Sequence, residues 1–109
     1  MQRFKVIPTP YFEKEFKRLA KKYASLKKDV SKVIEKLQEA PNIGSSLGGN
    51  VYKVRFGIAS KNKGKSGGGR IITYYIANDQ IVHLLSIYDK SEFDSISDAD
   101  IVDLLRRIS

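Results

Sequence analysis

Residues 51–88 read VYKVRFGIASKNKGKSGGGRIITYYIANDQIVHLLSIY, and this stretch decides the fold. Tyr52, Val54, Phe56 and Ile58 alternate with Val51, Lys53, Arg55 and Gly57, the period-two pattern of a strand with one apolar and one cationic face. RIITYYIA and IVHLLSIY are two more strands, rich in β-branched and aromatic residues, and the short turn at Asn78 and Asp79 joins them as a hairpin. Between the first strand and the second lies a lysine- and glycine-rich loop. Its residues 59–66 satisfy the Ala-first spacing of a phosphate-binding loop, with Gly64, Lys65 and Ser66 in place. That motif works by opening a helix whose first N–H groups hold the phosphates. Here Ser66 is followed by three glycines and a strand, and no acidic residue stands near the end of a neighbouring strand for magnesium. The nucleotide-hydrolysing reading is therefore rejected, and a cationic hairpin loop remains.

Working outward, RFKVIP is a short strand that ends at Pro8, and Thr9 followed by Pro10 sets a helix start with proline at the first helical position. Phe12, Phe16, Leu19, Ala20 and Tyr23 recur at helical spacing, leaving Lys14, Lys17, Arg18, Lys21 and Lys22 mostly outside. The pattern restarts around Ser25 with Leu26, Val30, Val33, Ile34 and Leu37 and stops at Pro41, which predicts an αα-hairpin. PNIGSSLGGN reads as a loop by its composition. At the carboxy end, Ser97 and Asp100 make a capping-box-like start for a helix with Ile101, Leu104, Leu105 and Ile108 in one stripe. The predicted fold is a single α+β domain over residues 1–109, in the order βααβββα. Its sheet is expected to be antiparallel, with helices packed on the face bearing Tyr52, Val54, Phe56 and Ile58, so that the Lys53 and Arg55 face stays open.

The chain has 109 residues, room for one core, and a net charge of +8. The charge is unevenly placed. Residues 40–78 hold six basic residues (Lys53, Arg55, Lys61, Lys63, Lys65 and Arg70) and no acid, whereas residues 79–109 hold three basic against seven acidic. Such a block of unopposed cations implies a polyanionic partner, most simply nucleic acid. Cysteine is absent and there is a single histidine, which argues against disulfides, zinc and metal chemistry. No cofactor is expected. No stretch reaches the ~20 apolar residues of a membrane span, and MQRFKVIPTP lacks the apolar centre of a signal peptide, so a cytoplasmic protein is expected. His83, between Val82 and Leu84, reads as a partly buried structural residue rather than a catalyst.

VYKVRFGIASKNKGKSGGGRIITYYI, followed by HLLSIYDKSEF, resembles the RelE/HigB-type toxins of bacterial toxin-antitoxin systems, in particular the branch with a GKGKSGG-type loop. The resemblance covers the order of elements along the chain, and its specific part runs from about Tyr52 to Glu92. It implies a metal-independent endoribonuclease that enters the ribosomal A site, cuts messenger RNA there and so inhibits translation. Its implied partners are the ribosome, the message and a cognate antitoxin, expected to be a helix-turn-helix protein encoded nearby. By position, the resemblance carries the family's strand cations onto Lys53 and Arg55, the arginine opening the next strand onto Arg70, and the basic residue after the last strand onto Lys90. Lys61, Lys63 and Lys65 fall where this branch has its RNA-binding loop lysines. Some members have a catalytic tyrosine in the carboxy-terminal segment, where this chain has Phe93; Tyr88 is the alternative.

Clustered cations suit this chemistry. Attack by a 2′-hydroxyl needs a proton acceptor, stabilisation of the phosphorane and protonation of the leaving 5′-oxygen. Arginine presents a planar fork to two phosphate oxygens, and a lysine crowded by cations becomes a better proton carrier. Arg55 and Arg70 are expected as phosphate stabilisers, Lys53 or Tyr88 as proton acceptor, and Lys90 near the leaving group. The rival readings are a non-catalytic ParE-like module directed at DNA gyrase, which needs no such cationic cluster, and a catalytically inactive RNA-binding protein.

Overall fold

The computed structural model describes residues 3–61, 64, 67–93 and 95–108. The elements are β1 (Lys5–Pro8), α1 (Pro10–Lys22), α2 (Leu26–Glu39), β2 (Ser45–Gly48), β3 (Val51–Phe56), a 3₁₀ turn (Ala59–Lys61), β4 (Gly69–Ile76), β5 (Ile81–Asp89) and α3 (Asp98–Arg106). The α+β class and the two helical patterns of the amino-terminal half stand as the sequence implied. Thr9 caps α1: its Oγ1 accepts from the Phe12 N–H at 3.2 Å and donates to the Leu84 carbonyl at 2.9 Å. One side chain therefore ends β1, starts α1 and ties both to β5. Ser97 caps α3 in the same way, its Oγ accepting from the Asp100 N–H at 3.1 Å.

Three details differ from the sequence expectation. First, a fifth strand exists: Ser45–Gly48 pairs antiparallel with β3 at the sheet edge. Its sequence has the composition of a loop because only Leu47 among its residues is apolar, and its turn back into β3 runs through Gly48, Gly49 and Asn50, all at positive φ. Second, the sheet is mixed. Its order is β1-β5-β4-β3-β2, and β1 runs parallel to β5 while every other pairing is antiparallel. Two helices and three strands separate β1 from β5, so their relative direction is not one that hairpin logic foresees.

Third, the helices lie on both faces. Phe12, Leu19, Tyr23, Leu26, Val30, Val33 and Leu37 of the amino-terminal helices meet Val54, Phe56, Ile58, Ile71, Val82, Leu84 and Ile87 on one side of the sheet. On the other side Ile101 and Leu104 of α3 cover Val51, Ile72, Leu85 and Tyr88. A bulge makes the second cluster possible. Ile72 is opposite Ser86 and Thr73 is opposite Leu84, so Leu85 is an extra residue in β5. Val82 and Leu84 face the amino-terminal helices, and past the bulge Leu85 and Tyr88 face α3. Lys53 and Arg55 alternate with the helix-covered Val54 and Phe56, and Arg55 is exposed.

Candidate functional site

The register of three antiparallel strands brings the predicted cations together. Arg55 on β3 is the direct cross-strand partner of Arg70 on β4, and Arg70 is the partner of Tyr88 on β5. Directly opposed residues share a sheet face, with Cβ atoms about 4.5–5.5 Å apart. Lys53 begins the next row along the same face, opposite Ile72, which is opposite Ser86. Lys90 follows β5, its N–H donating to the Gly68 carbonyl at 3.0 Å, so it stands one residue beyond the Gly69 and Asp89 pair that flanks the arginine row.

The electrostatics of this row are unusual. Two arginines directly opposed repel each other, an arrangement that ordinarily destabilises a sheet. Arg70 is only 4% exposed and donates through Nη1 to the Gly69 carbonyl at 2.8 Å. Burial, and then Arg55, push its guanidinium below the usual arginine value, with Tyr88 acting in the opposite sense. The register thus sets a buried guanidinium directly beside a second, exposed one.

Tyr88 is also 4% exposed, packed edge-to-face on Phe93 with ring centroids 5.7 Å apart. Its hydroxyl is buried without a hydrogen-bond partner among the described residues. Burial raises its pKa and Arg70 only partly offsets this. A phenol so placed is a poor proton acceptor while α3 and Phe93 cover it. Lys53, half-buried in the neighbouring row, is thereby the better placed of the two predicted acceptors.

Lys61 is elsewhere. Its Nζ ion-pairs with Asp89, a fully buried carboxylate, and donates to the Gly67 carbonyl at 2.9 Å. Asp89 also accepts from the Tyr23 hydroxyl and from the Ser91 N–H at 3.0 Å. Burial pushes the Asp89 carboxyl up, but the Lys61, Tyr23 and Ser91 hydrogen bonds outweigh it and hold the group well below the usual carboxylate range. The Lys61 charge is thus engaged inside the protein rather than offered to RNA. Lys63 and Lys65 lie outside the described residues. His83, half-buried and stacked on Tyr74 at 6.3 Å, has its pKa lowered by burial, in keeping with a structural role.

Sequence reasoning missed the polar supports of this region. Besides Asp89 and Tyr23, Asp29 at the start of α2 accepts from the Ala59 N–H at 3.1 Å and from the Ser25 hydroxyl at 2.7 Å. Ser25 Oγ in turn accepts from the Ser60 N–H at 2.8 Å. Arg18 forks onto Glu92 with contacts of 2.8 and 3.0 Å, pinning the segment after β5 to α1. The one signal available in advance was an aspartate ending an apolar strand in a lysine-rich chain, since a buried acid requires a partner.

Residues 10–108 match the family model of the RelE toxin of the RelE/RelB toxin-antitoxin system. The fold is similar to the structure of a mutant of the E. coli toxin RelE in the free state, with a TM-score of 0.66 at 18% identity over 100% of both chains. It is also similar to the isolated E. coli RelE toxin in a P21 crystal form, with a TM-score of 0.62 at 16% identity over 97% of this chain and 99% of that one. With almost the whole chain matched by the family model, and the same α+β layout found in two RelE structures, this protein belongs to the RelE toxin family.

Proposed function

We propose that this toxin is a ribosome-dependent endoribonuclease that cuts messenger RNA without a metal ion and is silenced by a cognate antitoxin. The observation that carries the reading is the cross-strand row of Arg55, Arg70 and Tyr88, with Lys53 and Lys90 at its margins. In this reading Arg55 and Arg70 hold the non-bridging oxygens of the scissile phosphate, where charge grows as the phosphorane forms. Lys53 takes the proton of the attacking 2′-hydroxyl. The 2′-oxygen bonds to phosphorus, the bond from phosphorus to the 5′-oxygen breaks, and Lys90 supplies the proton that the leaving oxygen needs. Lys63 and Lys65, with the lysines on the outer faces of α1 and α2, add salt-dependent attraction to the RNA-rich A site. Arginine and lysine side chains are poor metal ligands, and among the described residues the row of Arg55, Arg70 and Tyr88 includes no acid, which supports a mechanism based on cations of the protein.

The test is end-group analysis on a defined message translated in vitro. The reading expects cuts only in ribosome-bound message, leaving a 2′,3′-cyclic phosphate or its opened 3′-phosphate upstream and a 5′-hydroxyl downstream. Fragments with 3′-hydroxyl and 5′-phosphate ends would refute it. Growth arrest with intact messages and damaged DNA would replace it with the gyrase-directed reading, and binding without cuts would leave an inactive RNA binder.

A further inference from the structure

Gly67, Gly68 and Gly69 lead into β4 immediately before Arg70. The close packing at this point requires glycine. A Cβ on Gly68 would lie 2.2 Å from the Phe56 carbonyl oxygen, and one on Gly69 would lie 2.4 Å from the Phe56 ring. Glycine also leaves the backbone least constrained by its own sterics. Yet this backbone sets the positions of two functional groups: the Arg70 guanidinium donates to the Gly69 carbonyl, and the Lys90 N–H donates to the Gly68 carbonyl. Something outside the triplet has to hold it.

The Lys61 and Asp89 pair is on the opposite face of the sheet, beneath this backbone. Lys61 binds the Gly67 carbonyl at 2.9 Å, closing the two feet of the loop on each other. Asp89, the cross-strand partner of Gly69, binds Lys61 and the Tyr23 hydroxyl, and accepts from the Ser91 N–H next to Lys90. The Lys61 ammonium also lies 5.8 Å from the centre of the Tyr23 ring. Just upstream, Ala59 and Ser60 are fixed to Asp29 and Ser25 of the second helix region. A single buried carboxylate therefore joins the end of α1, both feet of the loop and the turn carrying Lys90.

We propose that Lys61, Asp89 and Tyr23 form a positioning clip that fixes the glycine lead into β4 and so orients Arg70 and Lys90, with Lys61 acting through Asp89 and Gly67 rather than on RNA. The consequence for cutting rests on the ribonuclease reading above; the consequence for the backbone does not.

The experiment compares Lys61→Met, Tyr23→Phe and Lys61→Arg with wild type by amide hydrogen exchange, ribosome affinity and single-turnover cleavage. In Lys61→Met, exchange at Gly67, Gly68, Gly69 and Lys90 should rise at least tenfold while Ile71, Ile72 and Leu85 stay protected. Cleavage should slow at least tenfold, with ribosome affinity and its salt slope unchanged within twofold. Tyr23→Phe, which removes one hydroxyl and keeps the ring, should shift the same amides and the same rate by a smaller factor, and it decides the matter if Lys61→Met does not fold. Lys61→Arg, which keeps the charge, should recover most of both losses. Unchanged exchange at the glycines, together with weaker ribosome binding and a salt slope reduced by about one, would overturn the clip and make Lys61 an RNA contact. If wild type cuts no RNA, the ribonuclease reading fails, while the exchange data still decide the clip.

Discussion

Replacing Arg70 with alanine separates docking from chemistry. Stability should fall, because Arg70 is buried and its guanidinium donates to the Gly69 carbonyl. Truncation to alanine removes two buried methylenes, each about 0.8 kcal/mol, or roughly 1.6 kcal/mol in all, together with the charge-assisted hydrogen bond to the Gly69 carbonyl, worth about 1.5–3 kcal/mol. Against this, Arg70 directly opposes Arg55. Removing one of two directly opposed like charges, with the other exposed, returns up to about 1 kcal/mol of this. The net loss in unfolding free energy should be about 2–4 kcal/mol by urea titration, with the variant still folded in the assays. Ribosome affinity should also survive, since Lys53, Arg55 and Lys90 remain on the same side of the site, and the salt slope should fall by no more than about one. Cleavage is different. A preorganised donor aimed at growing charge is worth a factor of about 100 or more, equivalent to ~2.7 kcal/mol of barrier. Arg70→Lys should recover little of this, because an ammonium lacks the planar fork. Single-turnover cleavage of message on isolated ribosomes, beside sedimentation at two salt concentrations, reads the two quantities separately. Equal losses in affinity and rate would make Arg70 a docking residue, and a rate within threefold of wild type would remove the arginine row from the mechanism.

Two other outcomes follow from the packing and the charges. Gly68→Ala should cost about 2–3 kcal/mol in urea unfolding, because its new Cβ meets backbone atoms of Phe56 and Gly57 that cannot step aside, whereas Gly64→Ala, with nothing within 4 Å, should be neutral; equal stabilities for the two variants would refute the close approach. Acid should destabilise the protein through Asp89, whose folded pKa is depressed below its unfolded value of about 4. Its contribution is complete above that unfolded value and is lost as pH falls toward the folded one, at up to about 1.4 kcal/mol per pH unit. Asp89→Asn should therefore flatten stability against pH below about 4 and leave its slope near pH 7 unchanged; an unchanged acid slope would show that Asp89 is not held ionised.

The cationic site was legible because strand alternation is a local property. Lys53 and Arg55 announce a shared face by their spacing, and Arg70 opens an apolar run that can only be the neighbouring strand. The direct opposition of Arg55 to Arg70, and of Arg70 to Tyr88, depends on register, which the loop length and the bulge set and the spacing does not reveal. The partner of Lys61 was hidden for a related reason. Lys61 has the same residue type and spacing as Lys63 and Lys65, and only Asp89, 28 positions away, distinguishes it. The edge strand Ser45–Gly48 escaped notice because it carries almost no apolar alternation, as expected of a strand with little to bury. The position of α3 on the far face depended on recognising that the sheet is apolar on both sides. The extra residue in β5 concealed this by breaking the alternation between Leu84 and Ser86.

That extra residue sets the phase of everything downstream in β5. Upstream of it even-numbered positions face the amino-terminal helices, and downstream odd-numbered ones do, which is how Asp89 comes to lie beside Tyr23 and Tyr88 beside Arg70. Were Leu85 to take a regular place in the ladder, every later residue of β5 would change face, bringing the Asp89 carboxylate to the arginine side and the Tyr88 phenol to the side where the lysine expects its counter-charge, whereas deleting Leu85 would leave Tyr88 opposite Arg70 and Asp89 opposite Gly69. A chain in that unbulged register would keep its composition, its net charge and every cation of the site, yet lose the arrangement on which the proposed activity depends. In this family member, then, the bulge at Leu85 acts as a frame shift in space: substitutions around the site tune it by degrees, but flattening the bulge with Leu85 retained would turn it inside out.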